Sequence, residues 1–195
     1  MFTLRPATLD DCEAILSIYT PYITDTAVTF ETEVPSLEDF HDRMVGIMNF
    51  FPYIVAEQSG EIVGYAYAHF QHERAAYRWN AELSVYLKQG SERHGIGSTL
   101  YTALMALLKE QGFLRVFGVV TIPNDPSVAL HERFGFEKKV QYASMGYKFG
   151  EWHDVAWFEK LLAPLPEAPE ELKPFSALSP EVVSDILNDP KRHSV

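Results

Sequence analysis

Ser84-Val85-Tyr86-Leu87, followed by Ser91-Glu92-Arg93-His94-Gly95-Ile96-Gly97-Ser98-Thr99-Leu100, joins a β-like run to a glycine-containing turn and then to a strongly patterned helix. The turn exposes several backbone N–H groups where a helix begins. Such a place suits an anion, because first-turn donors lack partners and the helix dipole is positive there. Arg93 adds a full charge, so the stretch reads as a pyrophosphate seat. The glycines alone are weak evidence. No Lys follows Gly97, as a P-loop needs, and Leu100 stands where a dinucleotide fingerprint wants a third small residue.

Outward from this seat the chain alternates strands and helices. The strand entering the turn is expected over Ala81 to Leu87 and the helix leaving it over Gly97 to Gln111, where Leu100, Leu104, Leu107 and Leu108 recur at helical spacing before the stop signal Gly112. Upstream lie a strand at Phe2 to Arg5, a helix capped by Thr8, a helix over Ser36 to Met48, and a hairpin of Tyr53 to Ala56 with Ile62 to Tyr67. Downstream lie a strand at Leu114 to Thr121, a helix at Pro126 to Phe134, and strands at Val140 to Lys148 and His153 to Leu161. The expected fold class is α/β. After Leu162 the chain turns proline-rich, so residues 1–162 are read as one domain and 163–195 as an appendage with a short helix over Val182 to Leu187 that packs on the surface or frays.

Bulk properties limit the function. Sixteen Lys and Arg against 27 Asp and Glu give a net charge of −11, which argues against a nucleic-acid binder while permitting one local anion pocket. Cys12 is the single cysteine, so no intrachain disulfide forms and a cytoplasmic, reducing compartment is expected. The start of the chain has no basic segment followed by an apolar run, and neither a signal peptide nor a membrane partner is expected. His69 and His72 are the one close histidine pair; on an extended strand they would face opposite sides, so no metal is expected.

A second constellation runs from Asn124-Asp125-Pro126-Ser127 through His131 to Gly135-Phe136. Asn124 can bond backbone or ligand amides, and His131 falls one turn into a helix. Here the residues carry a resemblance. Arg93 to Gly97 resembles the acetyl-CoA pyrophosphate loop of the GNAT superfamily of N-acetyltransferases, and Asn124 to Phe136 resembles its later motif, whose helix often carries Tyr where this chain has His131. Thr29 to Glu33, Ala76 to Glu82, Gly97 to Tyr101, Pro123 to Ser127, Gly146 to Lys148 and Trp152 to Val155 resemble phosphinothricin N-acetyltransferases, in matching order over residues 2 to 162. Two departures stand out: Glu92 where the loop usually starts with Gln or Arg, and His72 where herbicide-detoxifying members tend to have Lys.

The resemblance implies a mixed, largely antiparallel central sheet flanked by helices, acetyl-CoA as cosubstrate, a small-molecule amine acceptor and a homodimer. It implies Glu82 as the catalytic carboxylate, acting through water or with a raised pKa, because an ordinary Glu at about 4.3 is a weak base. His131 is a second catalytic candidate, as base partner, relay or acid for the leaving thiol, since histidine titrates near neutrality. Main-chain groups of Val85, Tyr86 and Leu87 are expected to hold pantetheine by strand addition, with β-strand splaying to admit it. Arg93, His94, Gly95, Ile96, Gly97 and Ser98 would hold the pyrophosphate, and Asn124 the pantetheine arm. Arg74 and Tyr77 match acceptor-binding positions; Phe30, Lys148 and Arg78 are further candidates, since Arg grips a planar carboxylate with two bonds. Two rival readings remain at this point: a related enzyme acting on a protein or polyamine amine, and a non-catalytic acyl-CoA sensor.

Overall fold

The computed structural model describes residues 2–92 and 94–194. Its elements follow in chain order as β1 (Thr3–Pro6), α1 (Cys12–Thr24), α2 (Leu37–Met48), β2 (Tyr53–Gln58), β3 (Glu61–Phe70), β4 (Asn80–Leu87), α3 (Ile96–Gln111), β5 (Arg115–Ile122), α4 (Asp125–Arg133), β6 (Glu137–Lys148), β7 (Glu151–Leu161) and α5 (Pro180–Asn188). The strands form one sheet in the order β1-β2-β3-β4-β5-β7-β6. The mixed, mainly antiparallel architecture that the resemblance implies is the one observed.

Local chemistry explains the element ends. Ser36 caps α2 by accepting a bond from the Asp39 amide at 3.1 Å. Thr8 starts a single 3₁₀ turn, Leu9–Asp11, and α1 proper begins only at Cys12. The Asp11 carboxylate turns back to the Thr8 amide at 2.8 Å and takes two bonds from Arg5. The ion pair with Arg5 holds the Asp11 carboxyl below the usual range.

The sheet is coated on both faces. Ile15, Ile18, Ile23, Phe40 and Met44 of α1 and α2 pack on Tyr53, Val55 and Tyr65. On the other face Leu100, Leu104, Leu107 and Leu108 of α3 are fully buried, each stabilising the fold by about 1.5–3 kcal/mol relative to exposure. The tail packs rather than frays. Ile186 and Leu187 join the α3 core, the buried Gln111 amide donates to the carbonyls of Phe50 and Lys173, and the Trp79 indole donates to the Glu170 carbonyl.

The position of the site follows from one irregularity. Among the described residues β4 and β5 are the only parallel neighbours, and they pair only from Asn80, Ala81 and Glu82 to Arg115, Val116 and Phe117. Beyond Glu82 the two strands separate. β4 stays zipped to β3 as far as Leu87 opposite Gly64, while β5 stays zipped to β7 as far as Ile122 opposite Asp154. The sheet therefore opens into a fork, and Glu82 is the last paired residue at its apex.

Candidate active site

The fork holds a cavity of about 350 Å³ that reaches both faces of the sheet. Leu83, Val85, Tyr101, Asn124, Ser127 and His131 line it on the α3 and α4 side. Phe30, Glu82, Ser84, Met145 and Trp157 line it on the other. A ligand entering between α3 and α4 thus meets one entering beside Phe30 at the fork's apex.

Main chain forms much of the first entrance. Lys88 N donates to Val63 O at 2.9 Å, and alternation along an antiparallel ladder then points the peptide groups of Tyr86 toward β3 and those of Val85 and Leu87 into the fork. The expected trio is corrected on this point. Tyr86 spends its main chain on the sheet, and its ring packs edge-on against Tyr19 and Tyr22. The Leu87 carbonyl accepts from the Tyr22 hydroxyl at 2.8 Å, and the Leu87 amide donates to the same oxygen at 3.3 Å. Val85 keeps its amide and carbonyl turned into the gap.

At the mouth, Gly95 precedes α3 at φ +79°, a left-handed conformation that glycine adopts without strain. No side chain caps the helix among the described residues, so the amides of Ile96, Gly97 and Ser98 face outward. His94 is exposed, with Nδ1 3.4 Å from Ser91 O. Arg93 lies outside the described residues. Glu92, the carboxylate of the same turn, accepts from the Gly90 amide at 2.9 Å.

His131 is 4% exposed and both ring nitrogens have partners. Nδ1 lies 2.7 Å from the Ser127 carbonyl, which can only accept, so Nδ1 carries the proton. Nε2 then accepts from the Tyr101 hydroxyl at 2.8 Å. Burial lowers the His131 pKa and keeps the ring neutral. The imidazole is stacked on Phe158 and lies directly over Gly118, where an added Cβ would fall 1.9 Å from Nε2. This geometry does not suit a base for the amine and makes His131 the support of Tyr101. Tyr101 is the residue the sequence reading missed. Its signal was a tyrosine on the buried stripe of a leucine helix, where a hydroxyl needs a partner. Burial first, then the charge of Glu82, raise the Tyr101 pKa, so it holds its proton.

Asn124 lines the cavity but spends its side-chain oxygen on capping α4, accepting from the Ser127 amide at 3.2 Å. Glu82 projects to the opposite face, directly across from His69 of β3. Burial raises its carboxyl pKa, while the nearby His69 and His72 oppose the rise. Both histidines therefore act on one carboxylate, contrary to the expected opposite facing, because β3 ends at Phe70 and His72 lies in the loop beyond. Among the described residues no cluster of three or more metal-ligating side chains occurs.

The acceptor candidates separate. Phe30 lines the cavity, its ring resting on Gly146, where a Cβ would lie 2.2 Å from a ring carbon. Arg74 and Tyr77 line a neighbouring depression with His72, and the Tyr77 ring packs at a tilt against His72, 4.8 Å between centroids. Lys148 is buried, and its ammonium donates to the Thr29 carbonyl at 2.8 Å, so it buttresses the Phe30 loop instead of facing a ligand. Arg78 is taken by Glu171 of the tail at 2.8 Å.

The family model of an acetyltransferase (GNAT) domain matches residues 4–157. The chain belongs to the GNAT acetyltransferase superfamily. This GNAT chain is 38% identical to a phosphinothricin N-acetyltransferase of Streptomyces viridochromogenes over 90% of its own length and 95% of the relative's. It is 31% identical to an L-methionine sulfoximine/L-methionine sulfone acetyltransferase of Pseudomonas aeruginosa, over 86% and 98% of the two chains. The crystal structure of a GNAT superfamily phosphinothricin acetyltransferase from Sinorhizobium meliloti, in complex with AcCoA, superposes with a TM-score of 0.80 at 32% identity, covering 92% of this chain and 96% of that one.

Proposed function

We propose that this N-acetyltransferase moves an acetyl group from acetyl-CoA to the primary amine of a small amino-acid-like acceptor of the phosphinothricin or methionine sulfoximine type. The observation that carries the reading is the fork in the sheet with a half-buried carboxylate at its apex. The outward peptide groups of Val85 complete a sheet with the amides of pantetheine, and the amides of Ile96, Gly97 and Ser98 meet the pyrophosphate. Glu82 takes a proton from the acceptor ammonium, because only the neutral amine attacks a thioester. Its raised pKa, caused by burial, makes it a better base than a solvated carboxylate. Tyr101 lines the same cavity with its O–H spent on His131 Nε2, so it forms a fixed wall beside the departing sulfur and is not its proton source. Acetyl-CoA thiol release across amino acids, their phosphinate and sulfoximine analogues, and polyamines tests the reading. Turnover confined to polyamines, or none with any amine, overturns it.

Arg74 is the cation beside the cavity with no carboxylate partner among the described residues. Arg74→Ala is expected to raise KM for an acidic acceptor about tenfold or more, the loss of one charge-assisted bond, with acetyl-CoA KM unchanged. Steady-state kinetics with each substrate varied check this.

A homodimer is part of the proposal. Tyr142, Met145, Tyr147, Phe149 and Trp152 of the β6–β7 hairpin are 47–65% exposed, and β6 is a sheet edge with unpaired peptide groups. Met145 also lines the cavity, so a second copy on this face would border the acceptor entrance. Sedimentation of the wild type as a dimer and of a Tyr147→Asp/Trp152→Asp variant as a monomer is expected; a monomeric wild type removes it. The single buried Cys12 and the absence of any helix long and apolar enough to cross a membrane among the described residues support a reducing, cytoplasmic location.

A further inference from the structure

Acetylation of an ammonium loses two N–H protons. One ends on the sulfur of coenzyme A and the other must reach water. The fork shows an outlet for the second on the face away from α3. His69 is the cross-strand neighbour of Glu82, and its Nε2 lies 3.8 Å from Glu82 Oε1. Its Nδ1 lies 3.0 Å from the Phe70 carbonyl. A carbonyl only accepts, so Nδ1 carries the proton and the Nε2 lone pair faces the carboxylate. The imidazole is 42% exposed while the Glu82 side chain is 24% exposed. The ring therefore bridges a sheltered base and bulk solvent. The 3.8 Å gap exceeds a hydrogen bond, and a small torsion of either side chain closes it.

We propose that His69 carries protons between Glu82 and water, an inference that rests on Glu82 being the base. The N–H bond of the acceptor ammonium breaks as an O–H bond forms on Glu82. That O–H bond then breaks as an N–H bond forms on His69 Nε2, and His69 releases the proton to water. The neutral amine attacks, the C–S bond breaks, and the remaining proton passes to sulfur. Glu82 returns to its ionised state, and no other co-reactant is needed. The other titratable groups facing Glu82 do not offer this route. His72 packs at a tilt against Tyr77, Tyr67 is a partly buried phenol of β3 that burial pushes up, and Tyr101 of α3 is committed to His131. His69 acts through Glu82 and is a positioning and relay residue.

The test uses His69→Ala and His69→Gln, each also combined with Glu82→Gln, with kcat measured against pH and against the concentration of added imidazole. In the Glu82 background both single variants are expected to lose about tenfold in kcat, less than the roughly hundredfold or more that a directly acting acid or base supplies, with KM for both substrates unchanged. Imidazole is expected to restore most of the His69→Ala rate by carrying the proton in solution, and Gln, which packs but cannot relay, is expected to behave like Ala. In the Glu82→Gln background removal of His69 is expected to cost nothing further. A kcat unchanged by His69→Ala, full activity in His69→Gln, failure of imidazole to raise the rate, or a loss that persists in the Glu82→Gln background overturns the relay. An active Glu82→Gln enzyme overturns the underlying base instead, so the two failures are distinguishable.

Discussion

Glu82→Gln is expected to lower kcat about a hundred- to ten-thousand-fold, the range general acid–base catalysis supplies, and to leave acetyl-CoA binding intact. The substitution keeps the size of the side chain and removes only its ability to accept a proton. In the proposed reading the donor's grip is spread over main chain at Val85 and at the start of α3, on the far side of the apex, so calorimetric titration with acetyl-CoA should register the same affinity for both proteins. The pH dependence carries the sign. Below its pKa Glu82 holds a proton and cannot take one from the acceptor, so activity falls as pH drops through that value. Burial lifts the value above the ordinary carboxylate range while His69 and His72 pull it back. The acid limb of kcat/KM therefore lies above that range in the wild type, and it disappears in Glu82→Gln. Retention of wild-type turnover in the variant would remove Glu82 from the mechanism.

Gly118→Ala is expected to be the most destabilising single-methyl change near the site. The new Cβ would sit 1.9 Å from His131 Nε2 and 2.5 Å from its Cδ2. The ring has nowhere inexpensive to go. It is stacked on Phe158, edge-on to Phe136, and fixed at both nitrogens. Overpacking of this kind costs about 1–3 kcal/mol, and a broken buried hydrogen bond to Tyr101 adds about 1–3 kcal/mol. A total near 3 kcal/mol lowers Tm by about 6–12 °C for a chain of this size. Turnover falls as well, because Tyr101, which lines the cavity, loses the partner that fixes its ring. Thermal unfolding and kcat on the same sample check both halves. An unshifted Tm would mean that the His131 ring does not lie on β5.

The strands and the leucine helix were legible because each rests on local pattern, whereas Glu82 stood out through the family resemblance. Alternation at Ala81 to Leu87, the helical spacing of Leu100 to Leu108 and the glycine turn at Gly95 depend on neighbours in sequence. Even the splay of β4 was expectable once strand addition was in view. Other features were hidden because they join segments far apart. His131 reads as a titrating histidine on α4, and only the approach of Gly118 and Tyr101 shows that its nitrogens are spoken for. Lys148 reads as a spare cation, yet a carbonyl 119 residues away claims it. Arg78 is claimed by a tail that composition marks as an appendage. The ends of β3 and β7 ran longer than the patterns, since cross-strand partners extend a strand past its own alternation.

The opening between β4 and β5 has an implication for how such a catalyst diversifies. A peptide group is the same whatever amino acid bears it, so exchanging a residue along that edge scarcely alters how the nucleotide's arm is received. In the proposed reading the loop bearing Arg74 and Tyr77, and the ring of Phe30, meet the other reactant through side chains alone. Inheritance can therefore revise which amine is chosen, one codon at a time, while the supply of activated acyl groups is left undisturbed.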